Sequence, residues 1–78
     1  MKVEIDLISI GARLGYAMNR RGLNQTELAK KSGIHQALIS RYISGKSGVS
    51  TNALYQLSKA LDVSTDWLLD CEGEHEPI

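Results

Sequence analysis

The sequence predicts an all-α domain, five short helices around one hydrophobic core. Three observations point there. Apolar residues recur at three- and four-residue spacing in several separate segments, which is the helical period. Gly and Asn punctuate those segments, and nothing alternates apolar with polar long enough to make a strand. The chain has 78 residues, enough for one compact core and one domain at most.

The elements follow in order. Segment 1–9 is an N-terminal arm or the start of the first helix. Ile10, Leu14 and Ala17 share one face of that helix, Arg13 and Arg20 lie on others, and Gly22 supplies the stop. Asn24 followed by Glu27 has the form of a capping box and starts a second helix, Gln25 to Ser32, that buries Leu28 and Ala29. Gly33 ends it where the backbone needs positive φ, and Ile34 follows. A third helix runs from about Gln36 to Ser44 with Ile39 and Ile43 inward, closed by Gly45. Lys46 to Val49 is a loop. Ser50 caps a fourth helix to about Leu61, carrying Leu54, Leu57 and Leu61 at helical spacing, and Ser64 caps a short fifth through Trp67 to about Leu69. The domain therefore spans 10–69, and 70–78 is an acidic tail expected to fray.

Net charge is zero, but its distribution is uneven. From Leu7 to Leu61 there are eight basic residues (Arg13, Arg20, Arg21, Lys30, Lys31, Arg41, Lys46, Lys59) and one acid, Glu27, a net of +7. Six of the nine acids fall after Leu61. A basic body with an acidic tail suits a polyanionic partner, and it also suits a solvated surface with a solubilising tail. Cys71 is the only cysteine, so no internal disulfide can form, which fits a reducing cytosol. Lys2, Glu4 and Asp6 break the N-terminal apolar stretch, so it does not read as a signal peptide, and no apolar run approaches the ~20 residues of a membrane span.

The segment from Gln25 to Arg41 carries the function. Ala29 is small where two helices must cross, Gly33 makes the turn between them, and Ile34 and Ile39 pin the second of the pair to the core. A helix so held projects its N-terminal end and outer face, the geometry that enters a groove about 12 Å wide. Arg21-Gly22-Leu23-Asn24-Gln25, then Leu28-Ala29, Gly33-Ile34 and Ile39-Ser40-Arg41, resembles the lambda-repressor/Cro-like helix-turn-helix domains of phage repressors and bacterial regulators. The stretch Ala60-Leu61-Asp62-Val63-Ser64-Thr65-Asp66-Trp67-Leu68-Leu69 is similar to their fifth helix. The resemblance covers roughly Ile10 to Leu69. It implies a compact five-helix lambda-repressor-like DNA-binding domain with the helix-turn-helix at helices 2 and 3.

By that resemblance, Gln36, Ala37, Ser40 and Arg41 read bases. Gln36 has the donor and acceptor for adenine N7 and N6, and Ala37 offers a methyl to thymine. Ser40 borders the same face, and Arg41 reaches guanine O6/N7 or, equally, a phosphate. Asn24, Gln25, His35, Ser44, Lys46 and Ser47 are the expected phosphate contacts, with Gln25 also buttressing the recognition helix. The plainer alternative for Gln25 and Gln36 is that each merely starts a helix. His35 reads as an imperfect cap or a phosphate neighbour, and Lys30 and Lys31 as solvated. Tyr16, Tyr42 and Tyr55 lack the clustering of a single-strand stacking platform.

Two departures from the family stand out. Many members pair an Arg at the place of Met18 with a Glu at the place of Ile43; both are apolar here, an exchange that is often neutral or stabilising. The expectation is that Met18 touches Ile43. His35 stands where Ser or Thr is usual.

One recognition helix spans few base pairs, so the resemblance implies a homodimer on half-sites about one turn apart, with Val63, Trp67 and Leu68 at the interface. Trp67 reads as core or interface or both. Cys71 and His75 are four apart, too few ligands for a zinc site, and no metal or other cofactor is expected. The partner expected is a double-stranded DNA operator in the bacterial cytoplasm, associated with the nucleoid, with no membrane and no small-molecule substrate. A prophage repressor or Cro-like protein, the N-terminal domain of a longer repressor, and an antitoxin regulating its own operon all fit. From another class, a helix-turn-helix protein-interaction module fits the fold but not the set Gln36, Arg41 and Lys46. No nucleophile–base arrangement, phosphate loop or metal cluster points to an enzyme.

Overall fold

The computed structural model describes residues 6–69, which form five α-helices, with no strand among the described residues. They are α1 (Leu7–Arg20), α2 (Gln25–Ser32), α3 (Gln36–Ser44), α4 (Thr51–Leu61) and α5 (Thr65–Leu69). None is long and apolar enough to cross a membrane. The expectations for residues 1–5, for Cys71 and His75 and for the acidic tail lie outside the described residues.

α1 starts at Leu7, ahead of Ile10, because Asp6 caps it: its Oδ1 accepts from the Ile8 and Ser9 N–H groups at 3.1 and 3.2 Å. Gly22 ends it in the left-handed region (φ 69°), and the Leu23 N–H returns to the Met18 carbonyl at 3.0 Å. The capping box of α2 is complete. Asn24 Oδ1 accepts from the Glu27 N–H at 2.8 Å, and the Asn24 N–H donates to Glu27 Oε1 at 2.9 Å. Ser50 Oγ caps α4 by accepting from the Ala53 N–H at 3.1 Å, and Ser64 Oγ accepts from the Trp67 N–H at 3.0 Å.

The six most deeply buried large side chains are Leu14, Leu28, Ile39, Leu57, Leu61 and Leu68. Every helix contributes at least one, each worth about 1.5–3 kcal/mol of transfer free energy. Ile43, expected inward, is only half-buried. Ile39 is buried as expected, and Tyr42, three residues on, is the second buried residue of α3. Ala29 and Leu54 are likewise half-buried at the edge of the core. Met18 and Ile43 both pack against the core cluster. Gly11 makes the close α1–α3 crossing possible: a Cβ there would stand 2.6 Å from the Tyr42 carbonyl oxygen. The consequence for the site is that α3 is held from behind by α1 and crossed by α2, leaving its far side in solvent.

Candidate nucleic-acid interface

At about 100° per residue, Gln36, Ser40, Ser44, Ala37 and Arg41 fall within about 140° of the α3 circumference. All five are exposed, while Ile39 and Tyr42 occupy the opposite side. The four expected base readers thus form one continuous surface, with Ser44 at its C-terminal end. A helix of nine residues is about 13 Å long.

Both ends of this surface are tethered. At the N-terminal end, Thr26 Oγ1 of α2 donates to Gln36 Oε1 at 3.3 Å. At the other, Arg41 Nε donates to Ser47 Oγ at 2.7 Å. Thr26, which the sequence did not single out, makes the hydrogen bond between α2 and Gln36. Its signal was only that a hydroxyl stood next to Gln25.

The expected phosphate contacts lie at the start of α2, at both ends of α3 and in the loop after it. His35 occupies the N-cap position of α3, but its side chain makes no cap hydrogen bond, so it stands exposed at the helix start. Lys30 lines the same concavity as His35 and Gln36. Asn24 is exposed and uses its carbonyl oxygen in the α2 cap, and Gln25 is half-buried. Ser44 is exposed, with its hydroxyl donating to the Arg41 carbonyl at 3.0 Å. Lys46 is exposed and Ser47 half-buried in the loop that follows. Leu38, also passed over, is 42% exposed on the flank between α3 and the start of α4.

The basic residues divide by role. Arg13 stacks over the Trp67 ring at 5.2 Å, Arg20 over Tyr16 at 5.9 Å and Lys59 over Tyr55 at 5.6 Å. Arg21 bonds backbone carbonyls at the end of α4. Lys30, Arg41 and Lys46 belong to the α3 surface. Val63, Trp67 and Leu68, expected at a dimer interface, are buried within the chain's own core at 8%, 6% and 1% exposure. Little of these side chains is left for a second copy. Tyr16, 45% exposed with its ring 6.0 Å from that of Trp67, is the apolar surface beside them.

A family model described as Helix-turn-helix matches residues 14–68. The chain is 39% identical over 66 residues to the HTH-type transcriptional regulator for conjugative element R391 of Providencia rettgeri, covering 85% of this chain and 30% of that regulator. It therefore spans less than a third of the length of this curated relative. Among solved structures it is similar to the restriction-modification controller protein C.AhdI from Aeromonas hydrophila (32% identity, TM-score 0.78, covering 81% of this chain and 96% of that one). It is also similar to the P22 c2 repressor in complex with a synthetic operator (30% identity, TM-score 0.73, covering 77% and 91%). The expected likeness to lambda-repressor-like domains is present in both sequence and fold.

Proposed function

The chain belongs to the helix-turn-helix family, and from that membership we propose that it is a sequence-specific double-stranded DNA-binding transcriptional regulator of the phage-repressor or Cro-like kind. It acts by laying α3 in the major groove, and it is a binding protein rather than an enzyme. The observation that carries this reading is the outer face of α3: Gln36, Ala37, Ser40 and Arg41 exposed on one arc, held from behind by α1. Base edges in the major groove present donor and acceptor patterns that these side chains match. His35, Lys30 and Lys46, with Asn24, Gln25 and Ser44, flank the arc where the phosphate backbones would run.

A single α3 covers few base pairs, so the protein binds as a homodimer to an inverted repeat with half-site centres ~34 Å apart. The α5 end of the domain is the contact region, with Tyr16 beside the buried Trp67 offering the apolar surface. Its place is the bacterial cytoplasm, on the nucleoid. The test is selection from a randomised duplex library at two salt concentrations, followed by sequencing of the retained DNA. An inverted repeat of that spacing, with affinity falling steeply in salt, supports the reading. No enrichment and no salt-dependent retention would sink it in favour of a protein-interaction module or antitoxin component.

A further inference from the structure

The Arg41 guanidinium is held by the loop that follows α3. Gly45, at φ 78°, reverses the chain, and the Lys46 N–H then donates to the Arg41 carbonyl oxygen at 2.9 Å. The Ser44 hydroxyl donates to the same oxygen at 3.0 Å. The loop is thereby wrapped back on Arg41, which brings Ser47 Oγ within 2.7 Å of its Nε. Backbone and side chain of one residue are engaged by the residues that follow it, Ser44 to Ser47.

We propose that Ser47 is a positioning residue for base recognition, holding Arg41 so that its two terminal nitrogens meet a guanine edge as a fixed fork. This rests on the DNA-binding reading above. With Nε committed to Ser47, a side-on approach through Nε and one terminal nitrogen is closed. The end-on pair, Nη1 and Nη2, remains. Two parallel donors in one plane match the O6 and N7 acceptors of guanine. A phosphate can be held by a point charge such as the exposed Lys46, for which no fixed plane is needed. Arg41 also lies one turn beyond Ala37 on the exposed arc, within the surface that faces base edges. Ser47 then acts through Arg41: its oxygen accepts from Nε in the free protein, and any contact its own O–H made to a phosphate would be the same for every sequence.

The test is library selection with the wild-type chain, Ser47→Ala, Ser47→Thr, Arg41→Ala and the double variant. The wild type is expected to require a G·C pair at one position of each half-site. Ser47→Ala should weaken that preference about tenfold and leave the other positions unchanged, and Ser47→Thr should restore it. Arg41→Ala should flatten the same position, and the double variant should lose no more than Arg41→Ala alone. A Ser47→Ala loss that is equal across all sequences, or that adds to the Arg41→Ala loss, overturns the proposal while leaving DNA binding intact. A wild-type chain that enriches no sequence overturns the DNA-binding reading and this proposal together.

Discussion

Arg21 Nε donates to the Leu61 carbonyl oxygen at 2.8 Å, joining the C-cap residue of α1 to the last residue of α4. Its Nη2 reaches the Asp62 carbonyl oxygen at 3.1 Å. The last carbonyls of a helix lack intrahelical donors and carry partial negative charge, so a guanidinium there satisfies both needs. The nearby Asp62 carboxylate, 3.6 Å away and 94% exposed, adds little. Arg21→Lys keeps the charge but loses the two-pronged geometry. The expected cost is about 1–2 kcal/mol, read as a lower urea midpoint at unchanged slope.

Asp62 itself sits in the left-handed region at φ 56°, the one described non-glycine residue to do so. A left-handed L-residue costs about 1–2 kcal/mol, part of which a glycine recovers after the entropy it loses on folding. Asp62→Gly is therefore expected to raise stability by about 0.5–1 kcal/mol, although it removes a charge from the ion pair with Arg21. Thermal unfolding checks it, and a lower midpoint would show that the carboxylate matters more than the backbone.

Two glycines of α1 should respond to alanine with opposite signs. A Cβ at Gly15 would meet only Ile43 Cγ2, at 3.9 Å, an ordinary contact, so Gly15→Ala should stabilise by about 0.5–1 kcal/mol through helix propensity. At Gly11 the same atom would press on backbone carbonyls of Tyr42 and Ile43, which cannot turn aside. Gly11→Ala should cost about 1–3 kcal/mol net and displace α3, so DNA affinity should fall with it. Equal effects from the two substitutions in chemical denaturation would contradict the close crossing.

What could be read in the sequence were the features that depend on near neighbours. The Asn24–Glu27 box, the turns at Gly33 and Gly45 and the caps Ser50 and Ser64 are local chemistry, while the set Gln36, Ala37, Ser40 and Arg41 was marked by the family resemblance, the helical period adding only that they share a face. Asp6 was hidden because a charge in an apolar stretch reads as an interruption before it reads as a cap. How deeply Ile43 and Tyr42 are buried depends on how α1 packs on α3, and the residue at their close approach, Gly11, lies more than thirty residues away in sequence. Val63, Trp67 and Leu68, expected at a dimer interface, are buried in the chain's own core, since core and interface select the same side chains. The tethers at Thr26 and Ser47 depend on rotamers brought together by a turn, and pattern does not encode them.

Thr26→Val should loosen Gln36 without disturbing the fold. The Thr26–Gln36 bond, at 3.3 Å, is long for a hydroxyl donor, so its energy is small, and valine keeps the shape. With Oε1 accepting from Thr26, the Gln36 amide presents its Nε2 donors and one remaining lone pair outward. Releasing it should weaken discrimination at the facing base pair about threefold, while stability moves by less than ~0.5 kcal/mol. Competition binding against single-base variants of the selected site measures this; unchanged ratios would mean that the tether is incidental.

Lys46 offers the contrasting case at the other end of α3. Its N–H is fixed to the Arg41 carbonyl, but its side chain is exposed beside the arc, where a flexible ammonium suits a phosphate. A phosphate contact carries no sequence information and releases condensed counterions when it forms. Lys46→Ala should therefore weaken binding to cognate and unrelated duplexes by the same factor. The slope of log affinity against log salt should shrink by about one per protomer. Arg41→Ala, by comparison, should change sequence preference more than the salt slope. If Lys46→Ala altered which sequence is selected, or left the slope unchanged, the division of labour between the fixed fork and the free cation would be wrong.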